Sequence, residues 1–136
     1  MADIVVVKAK VSPVNPSSCD IKDYIAGVAL TAGQPVYVDA AGKAQIADAN
    51  GSSPINRFRG IALNDAGIGQ AVSVLRYGEV AGFTLTSQAY DAPIYVSDTA
   101  GSLADAAGST SLLVGVVSVM SDKDLTKVLF VNGISG

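Results

Sequence analysis

Apolar and polar residues alternate with a period of two in several short stretches, and the stretches recur in the same order twice. AVSVLRYG (71–78) and TKVLFVNG (126–133) each alternate and then end at glycine. PVYVDAAG (35–42) and PIYVSDTAG (93–101) each set β-branched and aromatic residues directly after a proline. Proline is tolerated at the first position of a strand but not in its middle. The pattern predicts strands at 36–38 and 94–96, with AAG and DTAG turning into return strands at 43–47 and 102–104. GIAL (60–63) and GVVSV (115–119) are apolar on both faces, as central strands of a barrel or sandwich are. No stretch sustains an apolar period of 3.6. Only SDKDLT (121–126) offers a short helical turn, with Ser121 as its N-cap.

These elements fall into two units, 27–78 and 82–133, and ADANGS (47–52) of the first recurs as ADAAGS (104–109) in the second. The offset is 58 from Pro35 to Pro93, 59 from Gly42 to Gly101, 57 from Asp48 to Asp105 and 55 from Gly60 to Gly115. Drift of that kind is what small loop insertions leave behind, so an internal duplication is expected, with Tyr37 and Tyr95 in equivalent places. Residues 1–26 lie outside the repeat. IVVVKAKV (4–11) reads as an edge strand, and SPVNPSSCD (12–20) as a segment that cannot continue one. The expected architecture is all-β: a small β-barrel or β-sandwich over 27–136, built from two units of about 55 residues, with 1–26 as an N-terminal arm or edge strand. The units are expected to pack as one sheet system, because each alone offers little core.

Composition supports strands and narrows the chemistry. The chain has 136 residues, enough for one domain with a real core, and 49% of them are apolar. Eleven acidic residues are Asp and one is Glu, a skew toward turns and away from helix interiors. Charged residues make up 15%, against about 25% in ordinary soluble domains, as when surface is covered in an assembly. The net charge of −3 gives no basic footprint for nucleic acid. There is no histidine, so the commonest general base and metal imidazole are missing. The single cysteine, Cys19, cannot form an intrachain disulfide and reads as a bystander thiol. MADIVVVKAK lacks the order of a secretory signal, and the longest apolar run is half of a membrane span. A soluble protein, retained in the cell that makes it, is expected.

Few motifs in the sequence could carry chemistry. DANGS (48–52) suggests oxygen ligands for calcium, but no bidentate Glu follows, so a turn is the better reading. GIGQ (67–70) is no phosphate loop. Asp39, Asp91 and Asp98 are the carboxylates best placed for acid–base work, yet each sits beside a turn. Tyr37 and Tyr95 read as half-buried core with a wet hydroxyl rather than as a stacking platform. Arg57, Phe58 and Arg59 break the repeat, standing where unit two has leucines. They read equally as a partner surface and as a charged strand edge. No catalytic, cofactor-binding or metal site is assigned, and the chain is not read as an enzyme.

The run AGVALTAGQPVYVDAAGKAQIADAN, then GIAL, then GQAVSVLRYGEV, resembles the bacteriophage capsid decoration (cement) proteins and related small phage head proteins. The matching positions are Gly33, Pro35, Val36, Tyr37, Asp39, Gly42, Gly60, Ile61, Ala62, Gly69, Val72, Val74 and Gly78, and the likeness covers about residues 26–133. The resemblance implies a structural virion protein, made in the host cytoplasm, on the outer surface of the capsid. There it would bridge subunits of the major capsid protein, usually as a homotrimer, with no cofactor, nucleic acid or membrane involved. The arm then supplies candidate contacts at Ile4, Val5, Val6, Val7, Lys8 and Lys10, able to add a strand to a partner's sheet, and Arg57, Phe58 and Arg59 supply others. Deleting residues 1–20 is expected to weaken attachment and leave the core folded. The alternative is a carbohydrate- or ligand-binding β module of a phage tail, fibre or cell surface.

Overall fold

A computed structural model describes residues 2–136. The chain is all-β, and its described residues form ten strands in one continuous, curled sheet. They are β1 (Ser12–Pro13), β2 (Asp20–Ile25), β3 (Pro35–Val38), β4 (Ala44–Ile46), β5 (Gly60–Ala62), β6 (Ala71–Ala81), β7 (Pro93–Val96), β8 (Leu103–Ala104), β9 (Leu113–Val119) and β10 (Lys127–Asn132). Along the sheet the order is β4-β3-β5-β6-β10-β9-β7-β8, with β1 and β2 paired to β6. That order is the duplication written in space: β4, β3, β5 and β6 match β8, β7, β9 and β10.

Register carries the same symmetry. Ile61 faces Leu75 and Ala62 faces Val74 in unit one; Val116 faces Phe130 and Val117 faces Leu129 in unit two. Pro35 opposes Ile61 as Pro93 opposes Val116. Tyr37 and Tyr95 hold the same third place in β3 and β7, and both are half-buried. Gly60 and Gly115 are required by close approach. A Cβ on Gly115 would overlap the Phe130 carbonyl oxygen, and one on Gly60 would come within 2.7 Å of the Leu75 carbonyl oxygen. These two carbonyls sit on partner residues related by the repeat.

The first 27 residues finish both halves. β2 runs antiparallel to β6, and just beyond it Gly27 donates its N–H to the Ala44 carbonyl at 2.9 Å. β6, β5, β3, β4 and β2 thereby close a ring around Ala26, Leu30, Val36, Ala44, Ala62, Ala66, Val72 and Val74. In unit two the ribbon 2–7 does the closing. Ile4 donates to the Leu103 carbonyl, Val7 donates to that of Gly82, and Thr84 donates to that of Val5, each at 2.8 Å. The larger core cluster fills this half with Phe83, Leu85, Ile94, Val96, Leu103, Leu112, Val117, Leu129 and Val131. Ile61 and Leu75, on the opposite face of the unit-one sheet from Ala62 and Val74, join that cluster. So GIAL is buried on both faces, as its pattern predicts.

Four sequence expectations change. The arm is laid against the domain, since Ile4 and Val11 are buried in the larger cluster. Deleting residues 1–20 therefore removes core and the closing ribbon, and the expectation of an intact core is withdrawn. Residues 20–25, expected in the arm, form the six-residue strand β2. Residues 4–11 hold only an isolated bridge at Val6, beside another at Asp3, and a 3-10 turn at Lys8–Lys10. SDKDLT folds as a loop whose cap is Asp122 rather than Ser121: Asp122 accepts the Thr126 N–H at 3.0 Å and its hydroxyl at 2.7 Å.

Candidate partner-binding surface

The arm ribbon alternates. Ile4 is buried and Val6 half-buried, while Val5 is 64% and Val7 42% exposed. Lys8 and Lys10 are exposed at its end. Val7 and Lys10 line one wall of a cleft of about 610 Å³. Phe83, Thr84, Leu85 and Thr86 form its floor, and Tyr90 with residues 124–128 forms the facing wall. Tyr90 (49%) and Leu125 (54%) add exposed apolar surface there.

The facing wall is built by polar bonds that its sequence encodes. Tyr90 donates its hydroxyl to the Leu125 carbonyl at 2.7 Å, drawing the 121–126 loop over the cleft. Leu125 adopts φ 49°, a left-handed conformation uncommon for such a side chain, held by the Asp122 cap on one side and this bond on the other. Lys127 lies over the Tyr90 ring, its Nζ 5.0 Å from the centroid, and also donates to the Gln88 carbonyl. One face of Tyr90 is therefore occupied. The amide and hydroxyl of Thr126 hold the Asp122 carboxyl below its usual pKa.

Arg57, Phe58 and Arg59 lie elsewhere and do not form one exposed patch. Phe58 is fully buried, with Arg57 exposed and Arg59 half-buried. Phe58 pairs with Ser135 through two backbone bonds of 2.8 and 3.0 Å. Arg59 clamps the same segment, donating to the Phe58 and Ser135 carbonyls at 2.9 Å and to that of Gly136 at 3.1 Å. The aromatic is core and cannot meet a partner. Arginine, phenylalanine, arginine is a period-two pattern with Phe inward, a signal the sequence does contain.

The other singled-out residues hold turns and a seam. Asp39 accepts N–H bonds from Ala41 and Lys43 and the Gln45 amide, which lowers its pKa, the Lys43 bond contributing most. Asp98 accepts both the amide and the hydroxyl of Ser109. That hydroxyl also lies 3.2 Å from the Asn50 side chain, and Thr110 donates to the Ala49 carbonyl. ADANGS and ADAAGS thus meet each other where the units abut. Asp91 stands at φ 67°, where its counterpart Gly33 has φ 93°. Cys19 is half-buried and directs its thiol to the Asn15 carbonyl. Among the described residues no three His, Cys, Asp or Glu side chains cluster as metal ligands.

The far wall of the cleft, Tyr90 with Leu125 and Lys127, carries no signal in the sequence, because it joins loops 35 or more residues apart. No helix among the described residues is long and apolar enough to cross a membrane. No protein-family model, curated protein or solved structure matches the chain.

Proposed function

We propose that the chain is a structural virion protein that binds the outside of a phage capsid as a homotrimer and stabilises the shell by bridging major capsid protein subunits. The observation that carries this reading is the cleft lined by exposed apolar side chains from both the arm (Val7) and the 121–126 loop (Leu125). Contiguous exposed apolar surface marks interaction sites on a small domain. Val7 and Lys10 belong to the arm, the segment suited to grip a neighbour. The low charge fraction of 15% supports a surface covered in an assembly. No catalytic step is assigned to the protein.

The test is co-sedimentation with emptied, expanded heads assembled from the major capsid protein of the same genome. Saturable binding at a fixed ratio to capsid subunits is expected, and Val7→Asp with Leu125→Asp should weaken it at least tenfold. A protein that stays in the supernatant at every concentration overturns the reading.

A second reading rests on the cleft's size. About 610 Å³ lies within the range of small-ligand pockets, and Thr84, Thr86 and Asp124 offer hydroxyl and carboxylate partners for a sugar. A glycan array tests it, with Tyr90→Ala as the variant that should abolish any signal.

A further inference from the structure

The outer side of β2 is an unpaired strand edge, and its chemistry is asymmetric. β2 pairs only with β6. Just past its end, Ala26 donates to the Gln70 carbonyl and accepts from the Gly69 N–H, both at 2.8 Å. Even-numbered residues thus turn their peptide groups toward β6, and Ile21, Asp23 and Ile25 turn theirs away. On that outward side Gly27 meets the Ala44 carbonyl, whereas no backbone partner faces Ile21, Asp23 or Ile25 among the described residues. Ile21 (36%) and Ile25 (46%) are exposed, and Asp23 between them is exposed and takes a 2.8 Å hydrogen bond from the Ser73 hydroxyl.

An open edge of this length is a template for another strand unless something guards it. Consider a second copy of β2 docking antiparallel, so that all three outward residues engage. Ile21 then faces Ile25 of the copy, Lys22 faces Tyr24 and Asp23 faces Asp23. By symmetry these make five pairs, and the outer four are attractive: two Ile–Ile contacts and two Lys–Tyr pairs of the kind Lys22 already makes with its own Tyr24 ring at 5.5 Å. The central one sets two carboxylates directly opposite each other, which is repulsive. Asp23 therefore disfavours self-pairing while leaving the edge open to a strand with the opposite charge at its centre.

We propose that the outer edge of β2 is a strand-docking site for an extended protein segment that places a Lys or Arg opposite Asp23 and apolar residues opposite Ile21 and Ile25. This inference does not depend on the capsid reading, because it uses neither the cleft nor the arm. Backbone hydrogen bonds to the outward groups would supply affinity, and Asp23 the selection.

The Asp23→Lys variant of this same chain is the probe, since its β2 carries the required cation between the same two isoleucines. Wild type, the variant and their equimolar mixture are compared by sedimentation velocity, with hydrogen exchange read on the amides of Ile21, Asp23 and Ile25. The mixture should associate at least tenfold more tightly than either protein alone, weaken with added salt, and protect those amides. Asp23→Asn, which keeps the Ser73 bond and removes the charge, should self-associate more than wild type. A mixture no more associated than its components, with both variants folded by circular dichroism, overturns the proposal; so does protection confined to other strands. Heads that fail to bind the protein while the mixture pairs would remove the capsid reading and leave this one standing.

Discussion

Inside unit one stand Val36, Ala44, Ala62 and Val74; at the matching ladder positions of unit two stand Ile94, Leu103, Val117 and Leu129. All eight are buried. The hydrogen-bond registers agree, so the backbone plan is common, yet every unit-two residue is larger. The cause lies in what closes each half. Unit one is closed directly, with the end of β2 against β4, and of the eight buried side chains in its ring only Leu30 is larger than valine. Unit two is closed by the ribbon 2–7, which widens the ring and leaves room for Phe83, Leu85 and the large aliphatics. A duplicated sequence kept its pairing and diverged in volume.

That contrast ranks the effects of substitution. Leu129→Ala should be the most damaging change, about 2–5 kcal/mol, because it empties the middle of the larger cluster. Its counterpart Val74→Ala removes fewer methyl groups from a smaller cluster and should cost about half as much. Urea midpoints measure both, and equal losses would mean the two interiors do not differ as described.

Gly115→Ala comes next, at about 3 kcal/mol, since the new methyl would strike the Phe130 backbone and force β9 from β10. Gly60→Ala should cost less, because its Cβ would come no nearer than 2.7 Å to the Leu75 carbonyl oxygen, and part of its cost is backbone strain at φ 159°, which Gly115 does not carry. Urea midpoints rank the two, and a larger loss at Gly60 would put strain ahead of the Phe130 clash.

Ala62→Val installs the unit-two residue in unit one. Overpacking the narrow ring should cost about 1–3 kcal/mol, and pairing it with Val74→Ala should recover part of that loss through the shared space. Recovery in a double-mutant cycle is the readout. Additive losses would show that the ring is rigid or that the two sites do not share volume.

Much of this common plan is legible in the amino-acid sequence, for a physical reason: period-two alternation and turn glycines report local geometry. Strands β3, β4, β5, β6, β7, β8, β9 and β10 follow from it, as does the equivalence of Tyr37 and Tyr95. Residues 4–7 hide their facing, because four consecutive apolar side chains look the same whichever way they point. β2 is hidden altogether. DIKDYI is exposed along nearly its whole length, so no apolar stripe marks it, and only the long edge of β6 makes it a strand. The cleft is illegible for a third reason, since its walls come from segments brought together by topology alone.

The smallest predicted effect is local and depends on pH. The turn after β3 is held by Asp39, whose carboxylate accepts the Ala41 and Lys43 amides at 3.0 and 2.9 Å. The matching turn after β7 is held by Ser97, whose hydroxyl accepts the Thr99 amide at 2.9 Å and donates to Asp3 of the arm. The bonds to Asp39 favour its charged form and set its folded-state pKa below the ordinary 3.8, with the Lys43 amide the largest cause. A carboxylate depressed on folding contributes stability that is fully present above its unfolded pKa and is lost as pH falls through the folded one. Acidification from about pH 5 to pH 2 should therefore loosen the 39–43 turn of unit one. The Thr99 amide, held by a hydroxyl with no charge to lose, should shift less over the same range. Amide chemical shifts of Ala41, Lys43 and Thr99 follow both turns in one titration. Asp39→Asn should flatten the first two curves and leave the third unchanged. If Ala41 and Thr99 instead titrate together, the Asp39 carboxylate is not what distinguishes the two turns.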